Sequence, residues 1–437
     1  MYSNLKNKTV YICTLGCKVN QYESDAMLQI LQENGCVKCA DDEIADIYII
    51  NTCSVTNMAD KKSRQIIHRM RRKNPNAVIV GTGCYIQATG DELLSDGTVD
   101  LIIGNNRKID APRIISEYLD SGSPSDYFVD VNKDPDFENL SIIMPENHTR
   151  AYIKIQDGCN NFCTYCIIPY VRGRIKSKKL SDIIAEATTL SQNGVKEIIL
   201  TGINVSSYSD GENTLIDVIE KISEIDGIKR IRMSSVEPRV ITDEFLERTS
   251  KIESFCPHFH LSLQSACNNT LKAMNRHYTI EEYMETCRKL RETYDRPAIT
   301  TDIIVGFPGE TDEDFNTTLS NLEKLKLYEI HTFKYSRRKG TVADKMPNQV
   351  PEDIKNLRSD KVLALTAAQK KEFEEQFKYE SQEVLIEEII TKDNQKYYRG
   401  HTTRYVVVDI PTQDLLSSDE NEEKYINEII RSQRSIL

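Results

Sequence analysis

The sequence predicts an α/β protein in three parts: an N-terminal parallel-sheet domain, a central partial barrel of six βα units, and a small C-terminal all-β module. Three observations predict it. Short apolar strand-like runs alternate with helical patterns through most of the chain. A stretch rich in Asp, Ser, Pro and Asn, residues 119–148, divides that alternation in two. Beyond a helix-rich segment ending near residue 377, only strand-like runs follow. The boundaries expected are 1–120 for the first domain, 121–148 for a linker, 149–375 for the barrel and 376–437 for the last module.

Composition narrows the class. A chain of 437 residues exceeds one compact core. With 39% hydrophobic residues, 28% charged residues and no Trp, it reads as a soluble globular protein. No apolar run has membrane-spanning length, and the opening MYSNLKNKTVYICTLGC lacks the charged-then-apolar layout of a signal peptide, so a cytoplasmic location and no membrane partner are expected. Twelve cysteines in a reducing compartment point to metal ligation rather than disulfides. A formal net charge of −11 argues against wholesale wrapping of nucleic acid and leaves room for a local basic face.

The first strand runs from Thr9 to Leu15 and ends in Gly16-Cys17; a helical pattern follows through Asp25, Met27, Leu28, Ile30 and Leu31. The next strand, Ile47 to Ile50, leads into Asn51-Thr52-Cys53. A third, Ala77 to Val80, ends in Gly81-Thr82-Gly83-Cys84, and Leu101 to Ile103 is the fourth. Cys17, Cys53 and Cys84 thus stand just past the carboxyl ends of three strands, where parallel sheets build their sites. Convergence of the three into one cluster site is expected. Cys13 lies within a strand and reads as a small core residue. Cys36 and Cys39 form a CxxC with no matching pair, a redox motif or, preferably, an accident of spacing. The run KKSRQIIHRMRRK from Lys61 to Lys73 puts Ile66, Ile67 and Met70 on one helical face, which suits either a solvated helix or one that contacts phosphates.

The barrel opens on Asp157-Gly158-Cys159-Asn160-Asn161-Phe162-Cys163-Thr164-Tyr165-Cys166, just after the alternating run Ala151 to Ile155. Thiolates at CxxxCxxC spacing can ligate three irons of a cubane and leave the fourth without a protein ligand; a zinc knuckle or core cysteines are the alternatives. Zinc would instead want four ligands in paired CxxC sets, and the next cysteine downstream is Cys256. Strands are expected at 151–156, 196–201, 228–234, 258–263, 299–305 and 329–335, with helical patterns between them such as Leu180 to Gln192. Six units leave the barrel open on one side, as a large substrate requires. Polar residues and glycines gather at the strands' carboxyl ends, among them Asn204, Glu237, Gln264 and Gly306. Cys256, Cys267 and Cys287 show no ligand spacing and read as structural. In the last module, Glu383 to Glu387 and Arg404 to Ile410 read as strands flanking a basic, aromatic span from Lys396 to His401. Arg399 and His401 there suit RNA, where phosphate pairing and base stacking combine, although an ordinary hairpin turn would look the same.

Several segments together resemble the methylthiotransferase family of radical S-adenosylmethionine enzymes: LGCKVNQYES, NTCSVT, GTGCYIQ, IQDGCNNFCTYCIIPYVRGR, ILTGINV, RMSSVEP, HFHLSLQSACNNTLKAMNRHYT, DIIVGFPGET and FKYSRRKGT. They occur in one order and span nearly the whole chain. GHTTRYVVVDIP resembles the TRAM RNA-binding domain, while the final SSDENEEKYINEIIRSQRSIL departs from that domain's usual closing strands. The resemblance implies a radical barrel whose cluster is held by Cys159, Cys163 and Cys166 and chelates S-adenosylmethionine, cleaved on reduction to a 5′-deoxyadenosyl radical. It implies a second 4Fe–4S cluster on Cys17, Cys53 and Cys84 that carries the sulfur, and two S-adenosylmethionine molecules per turnover. Asn204, Glu237, Gln264 and Gly306 are then expected to hold S-adenosylmethionine, and Arg172 and Arg174 to contact cofactor or RNA. Within the family, GCKVNQYES and NTCSVT resemble the branch that converts N6-threonylcarbamoyladenosine beside the tRNA anticodon to its 2-methylthio form. The implied partners are that tRNA stem-loop, a flavodoxin- or ferredoxin-type electron donor and a sulfur source. The alternatives are the isopentenyl-adenosine branch and a non-catalytic metal-binding RNA module.

Overall fold

The computed structural model describes residues 2–40, 43–54, 56–123, 127–145, 149–415 and 421–432. The N-terminal domain runs β1 (Thr9–Thr14), α1 (Lys18–Glu33), β2 (Val37–Lys38), β3 (Ile47–Thr52), α2 (Asn57–Lys73), β4 (Val78–Gly83), α3 (Cys84–Ser95), β5 (Leu101–Ile103) and α4 (Ala111–Ser121). Its strands pair in parallel in the order β2-β1-β3-β4-β5. β3 is buried along its whole length, as a central strand covered on both faces must be. Connections leave β1 and β3 in opposite directions, so a crevice opens between the carboxyl ends of these two strands. On α2, Ile66, Ile67 and Met70 are the buried face, and Lys61, Lys62, Arg69 and Arg72 are exposed.

The central domain runs β6 (Arg150–Asp157), α5 (Ile168–Val171), β7 (Lys176–Ser177), α6 (Leu180–Gln192), β8 (Glu197–Gly202), α7 (Leu215–Ser223), β9 (Arg230–Met233), α8 (Asp243–Thr249), β10 (His258–His260), α9 (Asn268–Ala273), α10 (Ile280–Thr293), β11 (Ala298–Val305), α11 (Asp312–Leu325), β12 (Glu329–Lys334) and α12 (Glu352–Glu375). All six expected barrel strands form. β6, β8 and β9 pair in parallel, as do β10, β11 and β12, and bridges from Ile231 to Phe255 and from Val236 to Leu261 join the two sets into one curved wall. Capping boxes at Thr214/Asp217, Thr279/Glu282 and Thr311/Asp314 start three of the outer helices. Ile153 and Ile155 on β6 pack outward against Ile183, Ala187 and Leu190 of α6. Strand alternation therefore points Lys154 and Gln156 into the lumen. There Lys154 meets Glu23 of α1 at 2.7 Å, so the N-terminal domain's first helix packs against the inner face of the barrel.

The stretch expected as a linker is a packed strap over residues 127–145; 124–126 and 146–148 lie outside the described residues. Leu140 and Ile142 are buried in the barrel core, and the Leu140 carbonyl accepts from Lys178 Nζ at 2.7 Å. Its polar composition hid these two apolar anchors.

The C-terminal module is a four-stranded antiparallel sheet, β13 (Gln382–Lys392), β14 (Gln395–Thr402), β15 (Val407–Pro411) and β16 (Ile429–Ser432), in the order β15-β14-β13-β16. Here one expectation is corrected. The span Lys396 to His401 is not a connection between its flanking strands: it is itself a strand, β14, with Tyr398, Gly400 and Thr402 buried at period two. The turn is instead Asp393-Asn394, both at positive φ (49° and 61°), as a two-residue hairpin loop favours. Arg404 to Val406 precede the strand that starts at Val407. Residues 416–420 and 433–437 lie outside the described residues. Arg230 and Arg232 of β9 donate to the carbonyls of His401 (2.7 Å), Glu383 (2.8 Å), Thr402 (2.6 Å) and Thr403 (2.8 Å), fixing the module to the barrel's amino end. No helix among the described residues is long and apolar enough to cross a membrane.

Candidate active site

Cys17 is the N-cap of α1, Cys53 follows β3, and Cys84 opens α3. The first two flank the crevice between β1 and β3, and Cys84 stands over the adjoining β4. Gly83, at φ 90°, makes the turn into α3; a side chain there would run into the backbone of Thr52. Gly16 lies directly against the Cys53 side chain. Asn20 stitches the loops together, its Nδ2 donating to the carbonyls of Leu15 (2.7 Å) and Thr52 (3.0 Å) while its Oδ1 lies 3.8 Å from Cys17 Sγ. Arg172 reaches in from the barrel, donating through Nη2 to Asn20 Oδ1 (2.8 Å) and through Nε to Cys84 Sγ (3.3 Å). The three loops are thus brought together around Asn20 and Arg172.

The second cysteine loop leaves β6 at Gly158, whose φ of 69° and contact with the Arg174 carbonyl exclude any side chain. The loop is pinned from α9 and its exit. Thr164 N donates to the Met274 carbonyl (3.1 Å), and Asn275 Nδ2 to the Asn161 carbonyl (3.1 Å). Arg276 Nη1 donates to Cys163 Sγ at 3.3 Å, and its Nη2 lies 3.2 Å from Glu237. Burial raises the Cys159 thiol, and burial together with the Cys163 charge pushes Cys166 up to about 12.

A buried ionic network joins the two loops. Glu23 binds Arg172 (2.8 Å), Lys154 (2.7 Å) and Lys108 (3.1 Å), and Asp157 binds Lys154 (2.7 Å) and Arg172 (3.1 Å). Burial alone would raise both carboxyls. The surrounding cations outweigh it and hold Glu23 well below the usual carboxylate range, with Asp157 lowered as well. Arg172, expected to contact cofactor or RNA, is fully enclosed in this network. Arg174 is exposed, its guanidinium stacked over Phe162 at 4.5 Å.

Of the four barrel-mouth residues, Asn204 is buried near the Cys159 thiol, and its N–H donates to Gln156 Oε1 (2.7 Å). Glu237 accepts from Asn161 Nδ2 at 2.6 Å, so it too touches the cysteine loop. Gln264 sits at φ 69° between β10 and β11, where its backbone bridges to Ile303. The Gly306 N–H is taken by Glu310 (2.7 Å), and the residue lies against the Lys355 stem. In the C-terminal module Arg399 pairs with Asp409 (2.8 Å) and His401 with Glu387 (2.7 Å), both partly buried.

A cavity of about 570 Å³ lies in the lumen between the Cys17 loop and the barrel's floor. Cys17 lines it from above and Tyr405 of the C-terminal module from below. A further clamp closes the site: Arg338, on the loop after β12, donates to Asp60 (2.8 Å) and to Ser54, beside Cys53. Neither Arg276 nor Arg338 was singled out in the sequence. Each stands in a segment dense with polar residues, and spacing alone does not reveal which of those turns inward.

Residues 153–322 match the Radical SAM superfamily, and residues 9–104 match the Uncharacterized protein family UPF0004. The chain is 39% identical over 414 residues to "Threonylcarbamoyladenosine tRNA methylthiotransferase MtaB" of Bacillus subtilis (strain 168), covering 93% of this chain and 92% of that one. The chain belongs to the radical S-adenosylmethionine methylthiotransferases. A second relative, "tRNA-2-methylthio-N(6)-dimethylallyladenosine synthase" of Thermodesulfovibrio yellowstonii, is 37% identical over 411 residues, 93% of each chain. Among solved structures, the radical S-adenosylmethionine methyltransferase TsrM of Kitasatospora setae superposes with a TM-score of 0.57 at 15% identity, covering 77% of each chain. That likeness extends the fold assignment to both α/β domains of this methylthiotransferase. The donor sets suit iron–sulfur clusters: all twelve cysteines are free thiols, and a guanidinium stands 3.3 Å from one sulfur of each triad, where thiolate charge would be balanced. Among the described residues no three His, Cys, Asp or Glu side chains are gathered as around a single metal ion.

Proposed function

We infer that this methylthiotransferase acts on tRNA, placing a methylthio group on C2 of N6-threonylcarbamoyladenosine beside the anticodon. The observation that carries the reading is the joining of the two cysteine loops: Cys17 of the N-terminal triad lines the barrel cavity, the Glu23–Arg172–Asp157 network ties that triad's helix to the start of the second loop, and Glu237 at the barrel mouth accepts from Asn161 of that loop. Cys159, Cys163 and Cys166 would hold one 4Fe–4S cluster and Cys17, Cys53 and Cys84 another. Asn204, Glu237, Gln264 and Gly306 would hold S-adenosylmethionine. When bound, these groups supply a hydrogen-abstracting radical, a sulfur and a methyl donor, with two S-adenosylmethionine molecules consumed per turnover.

The chain's own residues position and enclose. Arg276 ties the Cys163 loop to Glu237, so the thiol and the nearby carboxylate move as one unit. The buried Glu23–Arg172–Asp157 network joins the helix that follows Cys17 to the start of the second cysteine loop. An RNA loop base can be unstacked and turned inward at low cost, which the open barrel accommodates. The exposed cations of α2, which begins four residues after Cys53, and the Arg174–Phe162 pair beside the second loop suit phosphate and base contact. Arg399 and His401 belong to the same proposed RNA path. Electrons would come from a flavodoxin- or ferredoxin-type donor, and sulfur from an external source.

A second reading, isopentenyl-adenosine as the substrate, is favoured by the 37% identity to a relative named for that nucleoside. Mass spectrometry of tRNA nucleosides from a deletion strain decides: loss of the 2-methylthio-threonylcarbamoyl nucleoside is expected, and loss of the 2-methylthio-isopentenyl nucleoside instead would overturn the assignment. Anaerobic protein should carry about eight irons, falling to about four when Cys159, Cys163 and Cys166 are all replaced by Ala.

A further inference from the structure

The lumen contains a cation that the network above does not use. Lys18, the first residue of α1 and the neighbour of Cys17, lines the cavity, and among the described residues its ammonium has no hydrogen bond or salt bridge. The arginines around it are matched. Arg232 pairs with Glu197 at 3.0 Å and Arg150 with Glu387 at 2.9 Å. Of two carboxylates on the cavity wall, Glu329 pairs with Lys370 (3.2 Å), and Asp302 lies 3.3 Å from His260 Nε2. Lys18 is left as an unmatched positive charge in a partly desolvated chamber, which favours an anionic ligand.

Beside it the wall offers unfilled polar groups. His258 Nδ1 and Ser234 Oγ are buried and have no partner, and Ser234 is only 8% exposed. His331 stacks on His260 with ring centres 5.6 Å apart. Burial, and then the Arg232 and Lys18 charges, keep His258 well below its ordinary value, so it stays a neutral imidazole.

Resting on the substrate reading above, we propose that Lys18, with His258 and Ser234, is the receptor for the carboxylate and urea of an N6-threonylcarbamoyl group. The lumen thereby selects a carboxylate-bearing adenine over an alkyl-bearing one. An isopentenyl group would leave the ammonium and two buried polar atoms unpaired. Sites built to hydrogen-bond a substrate reject analogues lacking the partner far more strongly than apolar pockets reject an extra group.

The test uses reconstituted, full-length enzyme and three anticodon stem-loop RNAs bearing threonylcarbamoyl-adenosine, its methyl ester, or isopentenyl-adenosine. Wild type should show a KM roughly 10- to 100-fold lower for the acid than for the ester, the scale of one charge-assisted hydrogen bond. Lys18→Gln should erase that difference, chiefly in KM, and His258→Ala should weaken binding of both acid and ester. Iron content and melting temperature of each variant verify folding, and S-adenosylmethionine affinity by equilibrium dialysis should be unmoved. If wild type takes acid and ester equally, or Lys18→Gln instead loses S-adenosylmethionine, the receptor is overturned while the substrate reading survives. If wild type modifies only the isopentenyl loop, both fall.

Discussion

Arg172 Nε stands 3.3 Å from Cys84 Sγ while the same guanidinium lies 2.8 Å from Glu23. One side chain of the barrel is therefore shared between a sulfur and a carboxylate of the N-terminal domain. Arg172→Met would leave Glu23 and Asp157 buried with fewer cations. Removing one member of such a buried set costs about 3–5 kcal/mol. A melting curve should show the loss, and iron content should fall towards that of a single cluster. An unchanged melting temperature would rule out the network as the joint between the domains.

Arg276 occupies the corresponding place beside Cys163 and bridges to Glu237. Arg276→Leu should weaken S-adenosylmethionine binding by roughly tenfold, the scale of one charge-assisted contact, and leave the iron of the N-terminal triad in place. Equilibrium dialysis and iron analysis of the same preparation measure the two effects separately. Equal loss of iron from both triads would point to a general folding defect instead.

Arg338 is 6% exposed and holds Ser54 and Asp60 across the seam between the last barrel loop and the Cys53 loop. Arg338→Ala should speed hydrogen exchange at residues 56–60 while the amides of β3, deep in the sheet, stay protected. Uniform protection in both segments would show the clamp to be dispensable.

Cys36 supplies a pH test away from both triads. Burial, with the Asp46 carboxylate adding, pushes its thiol up to about 11, and its Sγ faces the Leu5 carbonyl at 3.6 Å. The folded state favours the protonated thiol, so this contribution to stability is complete below the ordinary thiol value and is lost as pH rises through about 11. Alkylation of Cys36 in the native protein, followed by peptide mass spectrometry, should rise with a midpoint near that value. Rapid labelling at neutral pH would restore the redox reading of the CxxC.

Much of this architecture was legible because it is written in local periodicity. Continuous apolar runs such as Ile47 to Ile50 and helical spacing such as Ile66, Ile67 and Met70 are properties of neighbouring residues, and both formed as read. The cysteines at strand ends were legible through topology: Cys17, Cys53 and Cys84 follow adjacent strands of the sheet. What escaped depends on contacts across more than a hundred residues. Arg172, expected to contact cofactor or RNA, proves to be buried in an ion pair, because its partner Glu23 lies 149 positions away. Lys396 to His401 looked like a loop on composition, whereas its alternation of buried Tyr398, Gly400 and Thr402 makes it a strand. Arg276 and Arg338 carried no local signal at all.

The Cys84 partner at position 172 and the Ser54 clamp at position 338 also impose an order on biogenesis. As the chain leaves the ribosome, Cys17, Cys53 and Cys84 emerge long before either arginine, so the N-terminal half alone exposes three thiols without their counter-charge or cover. If Cys17, Cys53 and Cys84 hold the proposed cluster, its delivery to that half is best timed after most of the barrel has been made. A nascent chain stalled before residue 338 should be a poor acceptor from an iron–sulfur carrier, which makes completion of the barrel a built-in checkpoint on maturation.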